Sequence, residues 1–306
     1  MRRGSGSSVL LCSFLLVAAG PGCGPHPLTS EEPAAIPARS PARPPPSAGA
    51  PPTGRPVLVG QMCPTAAAGR AAVRPLFRRA SGWTDQAAAV AAPVERHGAR
   101  QFAVLGWNGR RAGVFSVAGA ATIDGGAAAI GAYAGGSPCE KPRGAGGVAG
   151  QRDPECVAAL RDCGLAVSEV EQAGGFQARP AEEQPDPIDL EVSGACVAGG
   201  KLLVDVDRDG ALEAYPTAGL IDASGGPADA VEAVAAAGAT CPARFAGRAL
   251  APGVDLIGVL DLDADGRQDL VLAFERGGRR TWALYAATAS AGRLDRVAMA
   301  APWPPR

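Results

Sequence analysis

The sequence predicts a mainly β protein with a few short helices, disulfide-bonded, whose C-terminal half is built from repeated strand–turn–strand units. Three observations carry this. Short aliphatic runs bounded by Gly, Pro and Asp clusters recur from about residue 57 to residue 303, the pattern of strands separated by turns. Glycine is abundant at 42 residues while aromatics make up only 5%, which favours many tight turns over a bulky core. Finally, a nine-residue acidic stretch occurs twice between aliphatic runs: Asp205-Val206-Asp207-Arg208-Asp209-Gly210-Ala211-Leu212-Glu213 and Asp261-Leu262-Asp263-Ala264-Asp265-Gly266-Arg267-Gln268-Asp269.

The chain opens on a segment that does not belong to the fold. Arg2 and Arg3 precede an apolar run from Val9 to Ala19, followed by Gly20-Pro21-Gly22-Cys23. Residues 1–22 therefore read as a signal peptide, and its apolar run is far short of the roughly 20 residues that span a bilayer. Cysteine directly after small residues resembles the lipobox of bacterial lipoproteins, although Gly20 stands where that family favours an aliphatic residue. The resemblance implies lipidation at Cys23, attachment to a membrane through that lipid, and a place in the bacterial cell envelope. That place would be the outer membrane, facing the periplasm or the cell surface. Plain secretion and an unprocessed N-terminus are the alternatives.

Residues 23–56 then form a tether. Repeated prolines, Pro44-Pro45-Pro46 and Pro51-Pro52 among them, fix φ and remove donors, and too little bulky apolar surface is present to offset ordering entropy. The folded part divides into a mixed, β-rich region at 57–178 and a repeat region at 188–303, separated by the polar, Pro-rich stretch Ala178 to Pro187. With 47% hydrophobic and 19% charged residues and a net charge of −1, the chain carries no electrostatic footprint for nucleic acid.

Six cysteines lie in the folded part: Cys63, Cys139, Cys156, Cys163, Cys196 and Cys241. An even number in an exported chain reads as disulfides. Zinc is disfavoured, because no Cys-x-x-Cys pair occurs and the chain has two histidines. Pairing by nearness in sequence gives Cys156–Cys163, Cys196–Cys241 and Cys63–Cys139.

In the first half, Thr84 is placed to cap a short helix over Asp85 to Ala91 that Pro93 stops. Gln101 to Trp107 and Gly113 to Ala118 flank Asn108-Gly109, the composition of a hairpin turn. Thr122 to Ala134 supplies further strand candidates, and residues 135–155 read as a loop tied back by cysteines. In the second half, Leu202 to Val204 enters the first acidic loop and Leu212 to Tyr215 leaves it; Leu256 to Leu260 and Leu270 to Phe274 do the same for the second. Pro227 to Ala237 reads as a helix with Pro near its first turn, and Thr281 to Ala287 with Leu294 to Ala298 as a hairpin. The aspartates that open the loops are 56 residues apart, a period that suggests propeller blades or a related stack.

The acidic loops have the chemistry of a hard-cation site. Carboxylates at positions 1, 3, 5 and 9 converge if the backbone curls, and Gly210 and Gly266 at position 6 permit that curl. The ligand set for Ca²⁺ would be Asp205, Asp207, Asp209, the carbonyl of Ala211 and Glu213, and in the second loop Asp261, Asp263, Asp265, the carbonyl of Arg267 and Asp269. Without an ion each loop sets four carboxylates against one arginine, so binding would also contribute to folding. A solvated hairpin is the plain alternative. Position 12 is Pro216 or Leu272 where an EF-hand needs a bidentate glutamate. The run Val259 to Val271 instead resembles the FG-GAP, or VCBS, repeat of integrin-like propellers, Asp-x-Asp-x-Asp-Gly-x-x-Asp between aliphatic strands. The first copy departs from it with Glu213 and Ala214. The resemblance covers residues 197–300 at most and implies calcium binding and an adhesive or ligand-binding role.

Catalytic motifs are thin. His26 falls in the tether, His97 sits in a turn-like Arg-His-Gly context, and no nucleophile elbow, zincin helix or phosphate-binding loop occurs. The reading is a non-catalytic, lipid-anchored envelope module with Ca²⁺ as its cofactor and a protein or glycan as its unidentified ligand. A carboxylate-dependent exported hydrolase is the alternative.

Overall fold

The computed structural model describes residues 56–66, 69–96, 99–106, 111–140, 151–152, 154–160, 162–169, 195–235, 249–288 and 292–303. The expected signal segment, Cys23, the tether, the Asn108-Gly109 turn, His97, the 178–187 boundary and Cys241 lie outside these residues. The fold is mainly β, as the turn-rich composition implies.

The first region is a closed barrel. Strands β1 (Val57–Pro64), β2 (Arg70–Arg79), β4 (Gln101–Leu105), β5 (Arg111–Ile123), β6 (Gly126–Gly135) and β7 (Gly164–Glu169) pair in the order β1-β7-β4-β5-β6-β2, and β2 returns to β1. The two-residue β3 (Trp83–Thr84) extends β2 at the edge. All these pairings are antiparallel. The expected hairpin is present as β4 and β5, with Phe102 opposite Phe115. Closure needs close approach of neighbouring backbones: a Cβ on Gly131 would stand 1.9 Å from the carbonyl oxygen of Ser116, so only glycine fits there.

Alternation sorts the barrel strands into two faces. Leu58, Met62, Val73, Phe102, Val104 and Phe115 point into the interior, where Phe102 and Phe115 meet edge-on at 6.0 Å, and Val90 and Val94 of helix α1 (Ala87–Glu95) pack among them. Val57, Val59, Phe77, Leu165 and Val167 point the other way, onto the second region.

That region holds a six-stranded antiparallel sheet, ordered β11-β16-β15-β14-β13-β12: β12 (Ala249–Ala251), β13 (Val254–Leu260), β14 (Asp269–Arg276), β15 (Arg279–Ala287), β16 (Arg293–Ala300) and the edge strand β11 (Ala230–Glu232). Its central strands are buried on both faces. Val271, Ala273, Trp282 and Leu284 meet the barrel. Leu270, Leu272, Phe274 and Tyr285 meet a three-stranded sheet of β8 (Ala195–Ala198), β9 (Lys201–Val204) and β10 (Glu213–Pro216), which contributes Leu202, Val204 and Tyr215. Burial on both sides is why β13 and β14 read as continuous aliphatic runs. Each acidic loop joins neighbouring strands of a meander, β9 to β10 and β13 to β14, the blade-like arrangement the repeat suggests.

Three expectations are corrected. The expected helix over Pro227 to Ala237 does not form in its described part, residues 227–235; β11 forms instead, paired to β16. Helical propensity there is weak next to tertiary demands: Val231 fills the core, Arg293 of β16 reaches Glu232, and Arg296 holds Asp229 and the carbonyl of Pro227. Two of the expected cysteine pairs, Cys156–Cys163 and Cys63–Cys139, are also replaced. The described bridges are Cys63–Cys163 and Cys139–Cys156. Antiparallel pairing sets Met62 opposite Gly164 and so brings Cys63 beside Cys163, 100 residues away. In the chain-entropy account a loop of that length contributes about 4.7 kcal/mol. Cys139 reaches Cys156 in α2 (Pro154–Leu160) and closes a 17-residue loop, which contributes about 3 kcal/mol in the same account. Cys196 is disulfide-bonded.

The third correction concerns Pro93, which lies inside α1 rather than stopping it. Lacking an N–H, it leaves the carbonyl of Ala89, four residues back, without its helical donor. The Arg78 guanidinium takes that role, donating to the Ala89 oxygen at 3.1 Å. Thr84 accepts from the N–H of Gln86 at 3.2 Å, just ahead of the helix. Arg78→Met is expected to destabilise the protein by about 1–2 kcal/mol. In a Pro93→Ala background, where the alanine N–H would supply the missing donor, the same change should cost clearly less. Equal costs in the two backgrounds, read by denaturant unfolding, would refute this role for Arg78.

Candidate metal centre

Each acidic loop starts where an aliphatic strand ends. Val206 and Leu262, at position 2, are buried and pin the loops into the cores on either side of the six-stranded sheet. The chain then curls in the same way twice. Position 4 has positive φ in both loops, 60° at Arg208 and 57° at Ala264, as does the glycine at position 6, 90° at Gly210 and 91° at Gly266. The need for glycine at position 6 was legible. The left-handed turn at position 4, which costs a non-glycine residue about 1–2 kcal/mol, was not.

The carboxylates hold this curl through one shared network. The position-6 N–H donates to the position-1 carboxylate, Gly210 to Asp205 and Gly266 to Asp261, each at 3.0 Å. The position-5 N–H donates to position 3, Asp209 to Asp207 at 3.2 Å and Asp265 to Asp263 at 3.1 Å. Position 7 donates to position 5, Ala211 to Asp209 at 2.7 Å and Arg267 to Asp265 at 2.8 Å. The position-9 acid accepts from position 2, Glu213 from Val206 at 2.8 Å and Asp269 from Leu262 at 3.1 Å. Two segments of different sequence thus share four equivalent bonds.

The result is two carboxylate triads, Asp205/Asp207/Asp209 and Asp261/Asp263/Asp265. In each, one oxygen per residue lies within 4.8 Å of the others, and either triad could hold a metal ion. Glu213 and Asp269 stand outside these groups of three, bound to the position-2 amides. The first triad is largely open to solvent, whereas Asp263 of the second is buried. Asp205 bears directly on the fit to a cation: its Oδ1 is buried with no hydrogen-bond partner, an acceptor that a cation would satisfy.

The loops also touch. The N–H of Gln268 donates to the carbonyl of Val206 at 2.8 Å, joining position 8 of one loop to position 2 of the other. The Arg208 guanidinium of the first loop lies 3.7 Å from Asp261 of the second. From the barrel, Arg79 at the end of β2 places its guanidinium 2.7 Å from Asp263. Gln268 is fully buried with both side-chain amide atoms unpartnered. Sequence reasoning identified neither Arg79 nor Gln268. Arg79 lies far along the chain from its partner, in a strand with no acidic signal nearby, and the amide of Gln268 occupies a motif position that carries no ligand.

Burial and crowding shift five of these acids upward. Desolvation, followed by the charges of Asp263 and Asp265, holds the Asp269 carboxyl well above its ordinary value. Desolvation also raises Asp263, Asp261, Asp205 and Glu213. No family model matches the chain, and neither a curated protein nor a solved structure matches it.

These shifts fix a sign. Carboxyls raised above their ordinary value of 3.8 bind protons more readily in the folded state than in the unfolded one, so metal-free stability falls as pH rises through that window. Asp222, whose carboxyl is lowered by Ser224 and Gly226, acts oppositely, but only near and below its ordinary value. In chelator the melting temperature is therefore expected to be higher at pH 5 than at pH 7, and Asp269→Asn should flatten this slope. A melt in chelator that rises from pH 5 to pH 7 would contradict the assignment.

Proposed function

We propose that this protein is an exported, lipid-anchored component of the bacterial cell envelope that binds two Ca²⁺ ions in its acidic loops. The ions stiffen a β-rich module with a non-catalytic binding or structural role. The observation that carries this reading is the repeated network: two loops of different sequence, side by side, curl their backbones alike and gather three carboxylates each. Hard oxygen donors in a flexible loop suit Ca²⁺ better than Mg²⁺, which demands a tight octahedral shell. In this reading Asp205, Asp207 and Asp209, with the Ala211 carbonyl and Glu213, hold one ion. Asp261, Asp263 and Asp265, with the Arg267 carbonyl and Asp269, hold the other. Arg79 and Arg208 supply in the free protein part of the positive charge that the ion brings. The FG-GAP-like pattern supports the same chemistry, and the segment ahead of Cys23 supports export and anchoring.

Calorimetric titration of the full chain with Ca²⁺ is expected to resolve two saturable sites, with dissociation constants of roughly 10⁻⁴ to 10⁻³ M, the range of extracellular modules. Asp205→Ala and Asp261→Ala should each remove one site, and calcium should raise the melting temperature over that in chelator. Absence of binding heat together with superimposable melts would sink the calcium reading.

A further inference from the structure

A second candidate site lies away from the acidic loops, where the barrel wall splits. β2 pairs with β6 only from Arg70–Val73 to Ala129–Ala132. Beyond Val73 the partner of β2 is β3, at Arg78 and Arg79, while β6 continues beside β5 down to Gly126. The opening is roofed by Ala87, Val90 and Ala91 of α1 and by the end of β16, and it forms a cleft of about 280 Å³. Its lining is small and aliphatic apart from two charged side chains, Arg74 and Asp85.

Both charges are positioned, and neither neutralises the other. The Arg74 guanidinium lies over Gly126, where an added Cβ would stand 3.6 Å from its terminal nitrogen. It makes no hydrogen bond or ion pair with any described residue. Asp85 accepts from the N–H of Met299 through Oδ2 at 2.9 Å, which anchors the carboxylate at the rim and leaves Oδ1 without a described partner. Met299, beside it, is 43% exposed, an apolar edge to the same opening.

A cleft with one cation and one anion that are not paired with each other selects against simple ions. A bare carboxylate would meet Asp85, and a bare amine would meet Arg74. A molecule carrying both groups on one carbon satisfies both through charge-assisted hydrogen bonds, and the alanine-lined remainder takes a short apolar group. The volume is too small for a folded peptide segment. We propose that this cleft binds a free α-amino acid with a small aliphatic side chain, its carboxylate on Arg74 and its ammonium on Asp85.

The test is calorimetric titration of the full chain, held in saturating calcium, with L-valine, N-acetylvaline and valinamide. Valine is expected to bind saturably, and the two blocked forms at least about tenfold more weakly, because each loses one charge-assisted contact. Arg74→Gln and Asp85→Asn should each weaken valine binding at least about tenfold. The Asp85→Asn change keeps a side-chain oxygen for the Met299 N–H, so an unchanged melt shows that this variant is folded. No saturable valine heat overturns the proposal, as does equal binding of N-acetylvaline or wild-type affinity in either variant. Because calcium is saturating throughout, failure here leaves the reading of the acidic loops untouched.

Discussion

The apolar layer between the barrel and the six-stranded sheet is the constraint from which the rest of the structure follows. Val57, Val59, Phe77, Leu165 and Val167 on one side meet Val271, Ala273, Trp282 and Leu284 on the other. Transfer of the valine, leucine and phenylalanine side chains from water contributes roughly 1.5–3 kcal/mol each, and the layer sums many of them. Because the layer is shared, the barrel and the sheet are fixed against one another, and the end of β2 reaches the second acidic loop. Leu260 and Leu262, which flank Asp261, belong to the same layer. The most crowded carboxylates are therefore held beside a hydrophobic core and cannot drift apart into solvent.

That placement explains the contrast between two loops with the same internal bonds. The first lies on a three-stranded sheet and leaves Asp207 and Asp209 exposed, so water screens their repulsion. The second is folded against the shared core, where desolvation raises Asp261, Asp263 and, most of all, Asp269, and two guanidinia from outside the loop approach it. Like charges about 4 Å apart repel by roughly 4 kcal/mol at an effective dielectric of 20. A loop built this way holds its acids in a conformation that becomes favourable once positive charge arrives.

Much of this was legible in the sequence, and the remainder was hidden for identifiable reasons. Alternating and continuous aliphatic runs located β4, β5, β13, β14 and the β15–β16 hairpin, because side-chain periodicity is a local property. The acid spacing and Gly210 and Gly266 located the loops for the same reason. The Cys63–Cys163 bridge was hidden because it depends on the register of β1 against β7, which no local signal encodes. The residues around Val231 look helical in isolation and become a strand only because β16 offers an open edge with Arg293 and Arg296 on it. Pro93 looks like a helix stop until Arg78, from another element, supplies the donor it lacks. The Arg79–Asp263 contact likewise exists only after the two sheets have packed.

The N–H of Trp303 donates to the side-chain oxygen of Gln61 at 2.8 Å, across 242 positions. Gln61 sits on β1, the strand that closes the barrel by pairing with both β2 and β7. The strand that closes the barrel is thus also tied to a residue far along the chain, beyond every barrel strand. Contacts of such sequence separation make folding slow, because loop closure must precede the reward. Gln61 gains this partner only once the segment after β16 has docked on the barrel.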